Sequence, residues 1–171
     1  MRRRDLFFGS AALAASAAVG GAQAQDGTHT MTDEEKSRIP DFDKWQLSEA
    51  EWKQRLSPEA YRVLRKEGTE RAWTSDLNDE KREGVYACAG CDYDLFASDT
   101  KFDSGTGWPS FFKPIDGALE TKTDFKLFYP RTEYHCARCG GHQGHVFKDG
   151  PKPTGLRYCN NGVALTFKPK A

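Results

Sequence analysis

Much of what marks the large protein classes is missing from this chain. Its 25 basic and 25 acidic side chains cancel, and no five consecutive residues carry charge of one sign, so it has no electrostatic footprint for nucleic acid or an anionic membrane surface. Long hydrophobic runs are missing too. The one extended apolar stretch, residues 6–21, is rich in weakly hydrophobic alanine, whereas a membrane span needs about 20 strongly apolar residues, so no stable insertion is expected. Internal repeats are absent apart from a pair of C-x-x-C knuckles. Cysteine is scarce, five in 171 residues. What is present, 37% apolar residues with 12% aromatics, is enough to close one core. Small molecules or polypeptides are the expected partners, and a monomer the expected state.

The first residues stand apart from that core. Arg2, Arg3 and Arg4 precede Asp5-Leu6-Phe7-Phe8, alanine and glycine dominate to Gly21, and Ala22-Gln23-Ala24 supplies a small-x-small cleavage site. Residues 1–24 read as a twin-arginine-type export signal cleaved near Ala24, and for a bacterium with an outer membrane the mature protein is expected in the periplasm. Removing them takes away three Arg and one Asp and leaves a net charge of −2. Residues 25–43 are polar without an apolar period and are expected to form an extended or disordered leader, ahead of a domain over residues 44–171.

Within that domain, Ser48-Glu49-Ala50-Glu51 fits a capping box, and Trp52 and Leu56 share one helix face. Ser57-Pro58 starts a second helix, with Tyr61 and Leu64 as its buried stripe and Gly68 at its end. Past Gly84, short runs at residues 84–87, 124–129, 145–147 and 163–167 are rich in aromatic and β-branched residues and are separated by Gly, Pro, Asp and Asn. This half is expected to be antiparallel β with long loops.

Cys88-Ala89-Gly90-Cys91 and Cys136-Ala137-Arg138-Cys139 each put two thiolates on one tight turn. Brought together, they make the tetrahedral sulfur cage that zinc prefers, although the 44 residues between the knuckles exceed the usual ribbon spacing and imply an inserted sub-domain. Two vicinal disulfides, or redox-active pairs, are the alternatives. One structural Zn2+ is the favoured reading. It leaves Cys159 as the free thiol.

The last third gathers the remaining reactive side chains: Gly141-His142-Gln143-Gly144-His145-Val146-Phe147, Asp149-Gly150-Pro151, and Arg157-Tyr158-Cys159-Asn160-Asn161. A guanidinium or imidazolium beside a thiol lowers its pKa, and Arg157 and the two histidines can supply that field. Asn161 offers a neutral amide to orient a polar oxygen. A buried, inert thiol is the alternative for Cys159.

Together with Ser104-Gly105-Thr106-Gly107-Trp108-Pro109-Ser110-Phe111 and Arg131-Thr132-Glu133, these motifs resemble the B-type peptide methionine-R-sulfoxide reductases from about Leu47 to Phe167. The resemblance implies a mainly β fold of two antiparallel sheets (a β-tent, Mss4-like) with short N-terminal helices and a structural zinc site. It also implies thiol-dependent reduction of peptide-bound methionine-R-sulfoxide. In that pattern Cys159 is the nucleophile, and His142, His145 and Asn161 bind and protonate the sulfoxide oxygen. Arg157 and Asp149 set the electrostatics, while Trp108 and Phe147 meet the substrate. Oxidised polypeptides are then the substrate and a thioredoxin-like or small thiol the reductant. His135 and His29 match no role and are expected to face solvent.

Three positions depart from the family pattern. Many members carry a resolving cysteine where this chain has Thr106, so the Cys159 sulfenic acid is expected to need an external thiol. Gln143 stands where the family usually has leucine, and Ala72-Trp73 replaces a Pro-aromatic pair; both are expected at the pocket rim. A zinc-stabilised binding module and a cysteine hydrolase are the competing classes.

Overall fold

In the computed structural model, which describes residues 31–126 and 129–171, the chain opens in short helices and continues as antiparallel sheet. The expected export signal, the start of the leader with His29, and Leu127 and Phe128 lie outside the described residues. Helices α1 (Asp33–Ser37), α2 (Glu49–Arg55) and α3 (Pro58–Lys66) each begin at a hydroxyl cap. Thr32 with Glu35, and Ser48 with Glu51, form capping boxes that satisfy the otherwise orphaned N–H groups of a first turn. The leader is therefore not wholly extended: a capping box needs no apolar period, and α1 buries no side chain. Ala60, Val63 and Leu64 make the buried stripe of α3, with Tyr61 only half-buried and its hydroxyl on Glu49. The helix ends one residue earlier than expected, at Glu67 in the left-handed region.

Nine strands follow among the described residues: β1 (Gly84–Cys88), β2 (Asp94–Ala97), β3 (Lys101–Phe102), β4 (Ser110–Phe111), β5 (Leu119–Asp124), β6 (Arg131–Cys136), β7 (His142–Phe147), β8 (Arg157–Asn160) and β9 (Leu165–Pro169). They form a three-stranded sheet, β2-β1-β9, and a six-stranded sheet, β3-β4-β8-β7-β6-β5. The expected strand at residues 124–129 is displaced: β5 ends at Asp124, and the aromatics beyond it, Phe125 and Tyr129, are exposed. As an edge strand β5 has one neighbour only, and its polar sequence suits that place.

The two sheets meet through aromatic rings. Tyr86 and Phe96 from the small sheet pack on Phe111, Tyr134 and Tyr158 from the large one, with Phe96 and Phe111 stacked at 4.1 Å. Such pairs contribute about 0.5–1.5 kcal/mol each beyond the area they bury. Trp52 of α2 and Leu64 of α3 join this core. No helix among the described residues is long and apolar enough to cross a membrane.

Candidate active site and metal centre

The two C-x-x-C knuckles fold into one cluster. Cys88 closes β1, Cys136 closes β6, and Cys91 and Cys139 lie in the turns that follow. All four are buried, and their sulfurs lie within 4.8 Å of one another. The separations Cys88–Cys139, 3.7 Å, and Cys91–Cys136, 3.6 Å, are far longer than a disulfide bond. They match instead the edge of a tetrahedron with metal–sulfur bonds of about 2.3 Å. Four thiolates around a divalent ion carry excess negative charge, and arginines surround them. Arg55 donates to the Gly90 carbonyl at 3.0 Å, Arg65 to that of Cys139 at 2.8 Å, and Arg138 to that of Cys91. Arg55 and Arg138 lie over the Trp45 ring, and Arg65 over Trp52. The residues fit a bound metal ion, which would pin the small sheet to the large one.

Cys159 sits elsewhere, in the middle of the large sheet. Cross-strand register sets its neighbours: Ser110 on one side, His145 on the other, then Glu133 opposite His145 and Lys122 opposite Glu133. Directly paired residues share a face, so these five side chains form one polar row across five strands. The close pairing depends on Gly144, where a Cβ would lie 1.9 Å from the Cys159 carbonyl oxygen. Cys159, His145, Trp108, Phe147, Arg131 and Asn161 line a cavity of about 130 Å³. A larger groove of about 980 Å³, charged in both signs, shares the Trp108 wall.

Two carboxylates hold the histidines. His145 Nε2 lies 2.7 Å from Asp124 Oδ2, and His142 Nδ1 lies 2.6 Å from Glu133 Oε1. Burial alone would push Asp124 up, but the Lys126 N–H, the His145 ring and Arg131 hold it well below the usual carboxylate range. Burial likewise opposes ionisation of Glu133, and His142 and Lys122 overcome it. Both carboxylates are thus acceptors. His145, whose pKa burial pushes down, is neutral with its proton on Nε2 and a free lone pair on Nδ1. His142 is sealed inside, in edge-on contact with the His145 ring at 5.5 Å, and its buried Nε2 has no partner.

The other expected residues fall around this centre. Arg157 binds Asp149 through two hydrogen bonds of 2.8 Å and lies over the Phe147 ring, so the pair braces a cavity wall. Burial pushes the Cys159 thiol up, and the Arg157 field and the Thr106 hydroxyl offset this only in part. Burial thus outweighs the expected depression of its pKa, and Asp149, which engages the guanidinium, opposes that depression further. Asn161 lines the cavity with its amide committed at both ends, Oδ1 accepting from Glu70 N and Nδ2 donating to the Gln143 carbonyl, each at 2.9 Å. One N–H of Nδ2 is left for a ligand.

A family model described as the SelR domain matches residues 56–169. "Peptide methionine sulfoxide reductase MsrB" of Agrobacterium fabrum is 53% identical over 123 residues, 71% of this chain and 91% of that one. The protein of the same name from Methanosarcina barkeri is 56% identical over 122 residues, covering 71% and 86%, and that of Leptospira interrogans 52% identical over 122 residues, covering 71% and 93%. This chain belongs to the peptide methionine sulfoxide reductase B family.

Three carboxylates take positions in the site that the motifs alone do not reveal, although Glu133 stands within one of them. Asp124 and Glu133 orient the histidines, and Glu70 joins three pieces of the site. The Glu70 carbonyl accepts from Trp108 Nε1 at 3.2 Å, and its carboxylate accepts from the N–H groups of Gly162 and Val163 at 2.5 and 2.9 Å. Burial pushes the Glu70 carboxyl up despite those donors. Two expectations are corrected. His135 is half-buried rather than solvent-facing, its pKa pushed down by burial. Gln143 is fully buried between the sulfur cage and β8, away from any rim. Trp73 does lie at a rim, 68% exposed at φ 67° beside Gly107.

Proposed function

We propose that this protein reduces the R epimer of methionine sulfoxide in exported polypeptides, through a Cys159 sulfenic acid that an external thiol clears. The observation that carries this reading is the pairing of Cys159 with His145 in one small cavity walled by Trp108 and Phe147. A methyl sulfoxide needs an apolar wall for its methyl group, a proton for its oxygen and a thiol for its sulfur, and shape alone separates the epimers. Trp108 and Phe147 are that wall.

The raised pKa of Cys159 means that the resting enzyme holds a protonated thiol, so the proton needed by the oxygen is already in the site. It passes to the sulfoxide oxygen by way of the vacant Nδ1 of His145 while Asp124 keeps the ring in the receptive tautomer. The Cys159 sulfur bonds to the sulfur of the protonated sulfoxide, and the sulfur–oxygen bond breaks with its electron pair on hydroxide. That hydroxide then attacks the Cys159 sulfur, and the sulfur–sulfur bond breaks with its pair on methionine. Oxygen and proton end on Cys159 as a sulfenic acid. His142, held by Glu133, supports the His145 ring, and the free N–H of Asn161 steadies the oxygen. Arg157, anchored by Asp149, stabilises the thiolate as it forms.

Thr106 occupies the place of a resolving cysteine, and its hydroxyl bonds to Ser104 at 2.8 Å. Recycling therefore takes two equivalents of thiol from outside, a small thiol or a thioredoxin-like protein, and releases one disulfide and one water. Zinc is the ion that best suits four thiolates with no open position; it contributes folding energy and takes no part in turnover. The twin-arginine pattern of residues 1–24 supports export to the periplasm.

With dithiothreitol and separate epimers of a methionine sulfoxide peptide, the protein consumes only R, and Cys159→Ser consumes neither. Turnover of S, or activity in the variant, overturns the reading. The N-terminal sequence of the mature protein recovered from the periplasm tests export, with a start just after Ala24 expected.

A further inference from the structure

The sulfur cage and the reactive thiol are joined by one side chain that belongs to neither. Gln143, on β7, is 0% exposed, and so are Cys88, Tyr134 and Asn160 around it. The hydrogen bonds among them run in only one direction. The Asn161 carbonyl can only accept, so Asn160 must turn its amino group to it, at 2.8 Å. Asn160 Oδ1 then faces the Tyr134 hydroxyl at 2.8 Å, and the second Nδ2 hydrogen faces Gln143 Oε1 at 3.2 Å. The amino group of Gln143 is thereby directed the other way, to Cys88 Sγ at 3.4 Å and the Gly141 carbonyl at 3.5 Å.

Three polar groups taken out of water cost free energy unless every bond in the chain is made. The last bond is strongest to a thiolate, the form that a bound metal maintains. The main chain of the same residue holds the other end: the Gln143 carbonyl accepts both the backbone N–H and the side-chain amide of Asn161, each at 2.9 Å. Residue 143 thus grips a metal ligand and the two residues that follow Cys159.

We propose that Gln143 is a positioning residue that makes the geometry at Cys159 depend on the metal cage, so that a disturbance at Cys88 is transmitted through the Gln143 and Asn160 amides to the reactive thiol. This rests on Cys159 as the nucleophile and on zinc in the cage. Loss of metal, by oxidation or chelation, then loosens the catalytic strand before the protein unfolds.

The test uses the full zinc-loaded chain with Gln143→Leu, Asn160→Leu and the double variant, and neither readout involves turnover. Zinc transfer to a colorimetric chelator reports the cage, and iodoacetamide modification of Cys159, mapped by mass spectrometry, reports the thiol. Gln143→Leu is expected to release zinc about 10–100-fold faster and to change the Cys159 alkylation rate about threefold or more. Asn160→Leu moves both in the same sense, and the double variant changes each by less than the sum. A change in one readout alone, or full additivity, overturns the coupling while leaving the catalytic reading intact; an inactive Cys159→Ser bears only on the latter. Should neither variant fold, wild-type protein with cadmium in place of zinc decides the matter: an altered Cys159 alkylation rate supports the link, and an unchanged rate overturns it. Where Gln143→Leu folds, its cadmium NMR resonance shifts from that of wild type, and an unshifted resonance overturns the bond to Cys88.

Discussion

Cys88, Cys91, Cys136 and Cys139 are shut inside the protein with sulfurs as close as 3.6 Å and arginines on the surrounding carbonyls. Cys159 faces a cavity beside His145, and the Thr106 hydroxyl and the Asp149-bound Arg157 guanidinium flank its thiol. The cage has no vacancy for a substrate, and the cavity has no second thiol to close on. On the proposed reading the same element serves structure in one place and chemistry in the other, and the difference lies in what surrounds it: four sulfurs closed on one another against one thiol left facing a cavity.

The largest break in that comparison comes from the cage. Cys136→Ser should abolish stoichiometric metal binding and remove the folded state, since a structural zinc site contributes about 10 kcal/mol or more of apparent binding free energy to folding; metal analysis and circular dichroism check it. A smaller effect is confined to the cavity. His145→Ala should keep metal and melting temperature but lower kcat by about 10²–10⁴-fold, and Asp124→Asn should fall in the same direction by less, as the ring loses its preferred tautomer. Glu70→Ala removes the acceptor of one buried and one part-buried N–H group and should cost about 1–3 kcal/mol of stability in urea unfolding.

Two pH experiments sharpen the contrast further. Cys159 alkylation should keep rising into alkaline solution beyond the ordinary thiol range. Arg157→Met, which removes a field that lowers the thiol pKa, should slow the reaction at pH 8, and Asp149→Asn, which removes an opposing anion, should quicken it. Asp124 and Glu133 have lower pKa values folded than unfolded, so the unfolded chain takes up protons first as the solution is acidified. Their stabilisation is present above about pH 4.5 and lost as pH falls toward the folded values. Melting temperature followed through that window should drop less steeply in Asp124→Asn.

The two regions also differ in how far they can be read from sequence. The cage is legible because each knuckle is a four-residue unit whose spacing states its geometry, and the caps at Ser48 and Ser57 are legible for the same local reason. The cavity is assembled by register. Glu133 and His142 are nine residues apart, Asp124 and His145 are 21 apart, and Glu70 meets Gly162 across 92. Nothing local marks those carboxylates as orienting groups. Similarly, β5 is hidden because an edge strand tolerates polar residues, while the aromatics beside it drew the expectation to residues 124–129.

The most direct test is a single turnover without reductant. Protein mixed with one equivalent of the R-epimer peptide should yield one methionine, and a sulfenic-acid trap should label Cys159 alone, with the four cage thiols still on their metal. A disulfide from Cys159 to any cage cysteine in the metal-loaded protein, or methionine formed without modification of Cys159, would contradict the division of labour between the two sulfur sites.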